Sequence, residues 1–303
     1  MSIKNNIYFT PLVYITKCLG KIFPELLVRI RYLVRFRKFL NLNDPKTLNE
    51  KILYLSLKTD TSEWTRLADK YHVREYVKEC GLDDILVKCY GFWKKAADID
   101  FSKLPNSFVL KTVQGSGDII LVKDKHKLNI NETQKNIDIA VNTRYGELEG
   151  GKHYMRIKPA IIAEELLFND KISQIYSTSI IDYKIWCFNG KAHYIWTCCN
   201  RDKAGTDVMT YDLEWNAHPE YSVFTNHYRK GNVIPKPLNF DRMINIAEKL
   251  AKPFPVVRVD LYNIGGIIYF GEMTFTSLGG LMNFYSDEFQ TLAGSMINLN
   301  YKS

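Results

Sequence analysis

The chain has 303 residues, of which 46% are hydrophobic and 24% are charged. This balance is typical of a globular protein with one large core or two smaller ones, and it argues against a disordered chain. No run of about 18 uncharged apolar residues occurs, so we expect no membrane-spanning helix. The six cysteines form no Cys-x-x-Cys pair and no histidine stands at zinc spacing, which favours a reduced, cytosolic protein without a structural metal.

The net charge of +8 is concentrated near the N-terminus. Residues 1–40 contain eight Lys or Arg residues against the single acid Glu25, and the rest of the chain is close to neutral. A near-neutral body argues against nucleic-acid binding. A basic segment with apolar residues could rest on the inner face of an anionic membrane. Its basic side chains are spread around the helix, however, so we expect a helix that is solvated or packed on the body of a cytoplasmic protein.

Helix signals fill the N-terminal part. Residues 10–58 are predicted to be helical with breaks at Pro24 and near 43–45, and Thr47 and Glu50 have the spacing of a capping box. A further helix is predicted over 62–81.

Beyond this part the pattern is typical of strands. Alternating or apolar runs predict strands at 85–90, 107–112, 119–123, 160–167, 179–187, 192–198, 256–262 and 267–275. Helices are predicted near 132–145 and 239–251. The fold class is therefore α+β, with a helical N-terminal part followed by a mixed sheet domain.

The segment 256–275 places charges inside two apolar strands that are joined by a Gly-Gly turn. Side chains alternate along a strand, so Arg258 and Asp260 share one face, and Glu272 and Thr274 share one face. Two carboxylates on the same face would need a positive charge between them. Arg258 alone could provide it in a buried ion-pair network, or a Mg²⁺ ion could bind there.

The turn decides whether these charges meet. A two-residue turn at 264–265 would place Glu272 opposite Val257 and split the charges between the two faces. A three-residue loop with a bulge at Gly266 would make Arg258 face Glu272. We expect the three-residue loop, which collects all the charges on one face.

A small-residue loop with Gly115, Ser116 and Gly117 joins two predicted strands. It is neither a Walker loop nor a dinucleotide fingerprint, because a strand rather than a helix follows it. Its backbone N–H groups could still contact phosphate oxygens, with Lys111 as a positive charge beside them. A plain hairpin with a flexible tip explains the same residues.

Charges recur in two further apolar strands. Glu164 and Glu165 end one of them and could bind ribose hydroxyls and an adenine amino group, with the backbone near Leu167 against the ring. Asp182 and Lys184 share one face of the other strand. Charges inside strands at three separate places are hard to explain as unrelated ion pairs.

Taken in order, these segments resemble the ATP-grasp superfamily, and in particular the TupA-like (teichuronopeptide biosynthesis) family of bacterial surface-polysaccharide gene clusters. The resemblance spans about residues 44–280 and rests on segments 44–51, 67–71, 73–77, 108–111, 115–117, 163–167, 182–184, 258–260 and 270–275. It implies an ATP-grasp fold, in which two α+β subdomains bind ATP between them. A helical N-terminal region precedes this fold in the sequence. The implied parts are a basic helical region 1–58, a pre-grasp region 59–105 and an ATP-grasp domain 106–303, divided into 106–168 and 169–303.

The resemblance also implies a role for each charged residue. The residues that it places at ATP are Lys111, Gly115, Ser116, Gly117, Glu164, Glu165, Leu167, Asp182 and Lys184. It implies that Arg258 and Lys184 are catalytic and that Asp260, Glu272 and Thr274 bind Mg²⁺. Thr274 stands where the wider superfamily usually has Asn, which leaves the number of metal ions open.

The implied activity is an ATP- and Mg²⁺-dependent carboxylate–amine ligase that works through an acyl phosphate. Its partners would be a uronic-acid-containing surface-polysaccharide precursor and an amine or amino acid, with Arg201, Asp202 and the turn 277–280 as candidates for the acceptor pocket. Three alternatives stay open: a sugar kinase using the same ATP site, a glycosyltransferase using Asp98 and Asp100, and a non-enzymatic assembly adaptor.

Overall fold

The computed structural model describes residues 11–115, 117–143 and 145–302, with the backbone alone for residues 12 and 145. The helices are Pro11–Ile22 (α1), Pro24–Phe36 (α2), Leu48–Lys58 (α3), Ser62–Ala68 (α4), Val73–Glu79 (α5), Ile130–Val141 (α6), Tyr145–Glu149 (α7), Lys152–Arg156 (α8), Ser173–Tyr176 (α9), Phe240–Ala251 (α10) and Asp287–Met296 (α11). The strands are Cys89–Trp93 (β1), Phe108–Thr112 (β2), Ile119–Val122 (β3), Ile161–Glu164 (β4), Asp182–Phe188 (β5), Lys191–Cys199 (β6), Thr206–Tyr211 (β7), Tyr228–Lys230 (β8), Val256–Ile264 (β9) and Ile267–Thr274 (β10).

The chain divides into two compact units that are discontinuous in sequence. Unit 1 comprises 1–39, 59–74 and 87–166, and unit 2 comprises 40–58, 75–86 and 167–303. The parts expected from the sequence, bounded at 58, 105 and 168, are contiguous and stay a prediction about domains.

Unit 1 contains an antiparallel sheet in the order β1-β4-β2-β3. One face of this sheet is apolar, because Phe108 and Leu110 of β2 and Ile161 and Ala163 of β4 are buried in one cluster with Ile137 of α6. Since side chains alternate, the other face of the same two strands carries the charged residues.

Unit 2 contains a sheet in the order β10-β9-β5-β6-β7-β8, antiparallel except between β7 and β8. Helix α10 lies on one face, where the Asn263 side chain donates to the sulfur of Met243 at 3.2 Å. Val257, Val259 and the other β9 residues on that face are buried. The charged residues of β5 and β9 therefore point to the opposite face of this sheet.

Local signals predicted several elements well. The capping box is confirmed, because the Glu50 amide donates to Thr47 Oγ1 at 3.2 Å and the Thr47 amide donates to Glu50 Oε2 at 3.0 Å. The single helix predicted over 62–81 is wrong. Two helices replace it, because the Asp69 carboxylate accepts from the backbone amides of Tyr71 and His72 and interrupts the helical hydrogen bonds.

The strand predicted at 85–90 is also wrong, since a 3₁₀ turn covers Asp83–Ile85 and the strand begins at Cys89. Strands β7 and β8 were not predicted from the sequence. Within the described ranges, no helix combines the length and the apolar character that crossing a bilayer would need.

Candidate functional site

The unit 2 cluster is built by the pairing of two central strands. Strands β5 and β9 are antiparallel with Lys184 opposite Asp260. Residues directly opposite each other share a face, so Asp182, Lys184, Arg258 and Asp260 point to the same side of the sheet. All four are buried. The sequence predictions that Arg258 shares a face with Asp260, and Asp182 with Lys184, are confirmed, and the pairing of β5 with β9 brings the two pairs together.

The third strand joins the cluster through a bulge. The turn between β9 and β10 is two residues, Gly265 and Gly266, both with positive φ, so neither register considered from the sequence is right. The pairing then slips by one residue between Phe270 and Glu272, which sets Glu272 opposite Asp260. The bulge at Gly271 therefore produces the shared face that a three-residue loop was expected to produce.

Gly271 is required at this bulge by a close approach of two backbones. A Cβ atom there would lie 2.9 Å from the carbonyl oxygen of Asp260. A larger residue would push β10 away from β9 at the position where Glu272 enters the cluster.

Asp260 is the centre of the cluster and binds two cations. Arg258 donates from Nε to Asp260 Oδ1 at 2.7 Å and from Nη2 to Oδ2 at 2.8 Å. Lys184 Nζ lies 2.5 Å from the same Oδ2. Asp260 is 2% exposed, so this network is shielded from water.

The remaining bonds of Arg258 hold it in one orientation. Its Nη1 donates to Ser277 Oγ at 2.7 Å, and its Nη2 donates to Thr274 Oγ1 at 3.1 Å. Thr274 in turn donates to Glu272 Oε1 at 3.0 Å. Ser277 was placed by the sequence only in a candidate acceptor turn, so its bond to Arg258 is new.

Both buried cations keep their charge. Burial alone lowers the pKa of Lys184, but the carboxylates of Asp182 and Asp260 outweigh it and the pKa is raised. The pKa of Arg258 is raised in the same way, with burial opposed by the Asp260 carboxylate. Lys184 and Arg258 therefore stay protonated at any physiological pH.

Asp182 extends the cluster towards solvent. Its Oδ2 atom lies 3.6 Å from Lys184 Nζ and 2.5 Å from Arg201 Nη2. Arg201 is about half exposed, and the Asp182 carboxylate raises its pKa. Asp202, named with Arg201 as an acceptor candidate, instead faces Arg229, 3.4 Å from its Nη1.

A metal ion would find oxygen donors in this cluster. Mg²⁺ is usually held by one or two carboxylates and completed by water and phosphate oxygens. Asp260 and Glu272 stand opposite each other, and the Glu272 side chain is 40% exposed. The donor set thus fits Mg²⁺, although Asp260 can accept an ion only in exchange for Arg258 or Lys184. No group of three or more His, Cys, Asp or Glu suited to a metal occurs among the described residues.

Unit 1 carries a smaller cluster around Glu164. Lys111 Nζ lies 2.5 Å from Glu164 Oε2, and Arg74 Nη1 lies 3.3 Å from Glu164 Oε1. Arg74 also donates to the carbonyl of Val87 at 2.8 Å. Glu164 is buried, whereas its neighbour Glu165 is exposed. Sequence reasoning gave Arg74 no role, because nothing near it in the chain indicates a partner 90 residues away.

The loop at Gly115 is held by a lysine from another segment of unit 1. Lys70 Nζ donates to the carbonyl of Gly115 at 2.6 Å. A Cβ on Gly115 would collide with the side chains of Thr112 and Asp118, so glycine is needed there. Gly117 has a φ of +82°, which also favours glycine. Ser116 lies outside the described residues.

Three other residues that the sequence singled out do not join these clusters. Leu167 is half-buried at the start of the last segment of unit 2. Asp98 and Asp100, the acids considered for a glycosyltransferase, are exposed, and Asp100 accepts from the Ser102 amide at 3.0 Å as the cap of a 3₁₀ turn. This position gives Asp100 a local structural role.

Comparison with known proteins identifies a family. The family model described as TupA-like ATP-grasp matches residues 50–298. No curated protein matches the chain. Among solved structures, D-alanine–D-alanine ligase from Bacillus anthracis is similar with a TM-score of 0.44 and 14% identity, over 83% of this chain and 69% of that chain. The corresponding ligase from Helicobacter pylori is similar with a TM-score of 0.40 and 14% identity, over 83% of this chain and 69% of that chain. ATP-grasp ligase PsnB, complexed with a phosphomimetic variant of its minimal precursor, Mg and ADP, is similar with a TM-score of 0.42 and 10% identity, over 95% of this chain and 74% of that chain.

Proposed function

The chain belongs to the TupA-like ATP-grasp family and has the ATP-grasp fold, and we propose that it is an ATP- and Mg²⁺-dependent ligase that joins an amine to a carboxylate. The observation that carries the proposal is the buried unit 2 cluster, in which Arg258 and Lys184 are held on Asp260 with Glu272 opposite. A buried network of cations beside oxygen donors suits a reaction that moves a phosphoryl group.

The chemistry needs alignment and charge neutralisation rather than a nucleophilic side chain. A carboxylate is a poor electrophile, because attack on it would have to expel oxide. Transfer of the γ-phosphoryl group of ATP to the carboxylate forms an acyl phosphate and releases ADP. The amine then attacks the acyl carbon, forms the C–N bond and releases phosphate. Cationic side chains that stabilise the transferring phosphoryl group are the main requirement.

Arg258 and Lys184 supply that charge in the proposal. Their raised pKa values keep them protonated, and Ser277 and Thr274 fix the guanidinium of Arg258. Asp260 and Glu272, with the hydroxyl of Thr274, would hold Mg²⁺, which supplies charge neutralisation at the phosphate oxygens. Asp182 orients Lys184 and Arg201.

The unit 1 residues form the nucleotide-binding part of the proposal. Lys111 and the loop with Gly115, Ser116 and Gly117 would contact phosphates. Glu164 is buried between two cations, so it fits the task of positioning Lys111. Glu165 is exposed and fits the ribose hydroxyls, with Leu167 at the adenine ring.

We propose a uronic-acid-containing surface-polysaccharide precursor as the acceptor and an amine or amino acid as the donor. The family resemblance supports the saccharide, and the exposed guanidinium of Arg201 offers a partner for a carboxylate. The enzyme would then amidate or aminoacylate a capsule, O-antigen or teichuronopeptide precursor on the cytoplasmic side.

A hydroxylamine trap tests the reaction class without knowledge of the natural amine. The full-length protein is incubated with ATP, Mg²⁺ and a panel of free and nucleotide-linked uronic acids in the presence of hydroxylamine. A ligase yields hydroxamate, ADP and phosphate in equal amounts, and Asp260→Asn abolishes all three while Asp98→Asn retains them. ADP with an acid-stable phosphoester and no hydroxamate would instead identify a sugar kinase.

A further inference from the structure

Helix α2 exposes apolar side chains that its own packing does not use. Its buried side is formed by Leu27, Val28 and Tyr32. The exposed apolar side chains of the same helix are Leu26, Ile30, Leu33 and Val34. Their spacing of four, seven and eight residues places them within an arc of about 100°, which adjoins the buried side at Leu27. The helix is therefore apolar over a wide arc, and only part of that arc packs.

Exposed apolar side chains also occur before and after this arc in the sequence. We define the N-terminal apolar stripe as Tyr14, Ile15, Ile22, Phe23, Leu26, Ile30, Leu33, Val34 and Phe39, all of which are exposed. Three of them belong to α1, and Phe39, which is 84% exposed, follows the C-terminal end of α2. Such a concentration of exposed apolar side chains in one short segment indicates an interaction site.

The charge around the stripe is strongly positive. The described basic residues of the segment are Lys17, Lys21, Arg29, Arg31, Arg35, Arg37 and Lys38; Lys4 lies outside the described residues. The segment's one acid, Glu25, binds Arg29 with an Oε1 to Nη2 distance of 2.9 Å. The spread of basic residues around the helix, which from the sequence argued against a membrane, now has a different meaning. On α2, Arg29 stands next to one edge of the exposed apolar arc, whereas Arg31 pairs with Glu149 of the body at 3.8 Å from Nη2 to Oε1.

We propose that the N-terminal apolar stripe lies flat on an anionic lipid bilayer. Apolar side chains would enter the boundary between headgroups and acyl chains, and the bordering Lys and Arg residues would contact lipid phosphates. A second copy of the chain fits less well, because it would bring two strongly basic segments face to face. Within the described ranges no helix is long and apolar enough to span, so the contact is a surface one.

Vesicle co-sedimentation tests this contact with the full-length protein. Binding is measured on phosphatidylcholine vesicles with and without about one third phosphatidylglycerol, at low salt and at about 1 M salt, where charges are screened within a few ångströms. We expect binding to the anionic vesicles alone and its loss at high salt. Sedimentation velocity without lipid reports self-association in parallel.

Two variants separate the apolar and the electrostatic contributions. Ile30→Ser with Val34→Ser removes apolar surface without changing charge, and we expect about a tenfold lower partition coefficient, equivalent to about 1.4 kcal/mol. Arg37→Gln with Lys38→Gln keeps the stripe and should weaken binding by about fivefold for each charge removed, which corresponds to about 1 kcal/mol per residue.

The matched control lies on unit 2. Ile172→Ser with Ile175→Ser replaces two exposed isoleucines outside the stripe and should bind vesicles as the wild type does. Thermal melting confirms that each variant is folded. Equal binding of the stripe variant and the wild type would overturn the proposal. So would a dimer that the stripe variant abolishes in a protein that binds no vesicles, because the stripe would then be an interface between copies.

Discussion

The charged clusters of the two units differ in how far their charges are balanced. In unit 1, Glu164 faces two cations, Arg74 and Lys111. In unit 2, the three carboxylates of Asp182, Asp260 and Glu272 match three cations. An excess of positive charge suits direct binding of an anion. A balanced and buried network instead keeps its cations fixed until a phosphate or metal takes the place of one partner.

Among the changes that test this comparison, we expect the loss of Arg258 to lower the free energy of unfolding most. In Arg258→Met, Asp260 stays buried with one cation instead of two, and we expect the free energy of unfolding to fall by about 3–5 kcal/mol. Urea denaturation measures it. Arg242→Met is the control, since Arg242 pairs with Asp84 where both side chains are more than half exposed, and it should cost about 0–1 kcal/mol. Equal costs for the two variants would mean that the unit 2 cluster is not shielded from water.

Glu164→Gln probes the unit 1 cluster at a smaller expected cost. It leaves Lys111 and Arg74 without their shared carboxylate, but the amide oxygen of Gln can still accept a hydrogen bond from one of them, so we expect a total cost of about 1.5–3 kcal/mol. The neighbouring Glu165→Gln is exposed and should stay within about 0.5 kcal/mol of the wild type. The same denaturation series compares them. If Glu165→Gln were the more costly change, the assignment of Glu164 as the positioning residue would be wrong.

The smallest expected effect on stability concerns the bulge that brings Glu272 into the unit 2 cluster. Gly271→Ala adds a Cβ that lies 2.9 Å from the Asp260 carbonyl oxygen, and overpacking of this kind costs about 1–3 kcal/mol. We also expect kcat to fall, because the added Cβ disturbs the register that places Glu272 opposite Asp260. Gly265→Asn is the control, since Asn tolerates the positive φ of this turn position. Unchanged kcat in Gly271→Ala would show that the cross-strand position of Glu272 does not matter.

Features set by neighbouring residues could be predicted from the sequence. The capping box of Thr47 and Glu50, the presence of a hairpin near the Gly-Gly pair and the grouping of Arg258 with Asp260 all depend on residues a few positions apart, whereas the exact turn was predicted wrongly. The register of Glu272 could not be predicted, because the slip at Gly271 is set by packing against β9. Arg74 was missed for a related reason, since its partner Glu164 meets it only in the folded unit.

The buried side of α2 could not be predicted from the sequence either. A helix that is apolar on several sides does not reveal in its sequence which side is buried. The structure resolves this, since Tyr32 is buried and Val34 is exposed two positions later. Burial is a property of the tertiary neighbours, which periodicity does not contain.

Thermal melting with nucleotides shows whether the protein binds adenine nucleotides, as the proposed ligation requires. The full-length protein is melted with ATP, ADP, UDP and UDP-glucose, each with and without Mg²⁺, next to Asp260→Asn. A ligand at about 100 times its Kd stabilises the folded state by about 2.7 kcal/mol. We predict stabilisation by ATP and ADP alone, increased by Mg²⁺ in the wild type and weakened in Asp260→Asn. Stabilisation by UDP or UDP-glucose without any by ATP would contradict the account and favour a glycosyltransferase.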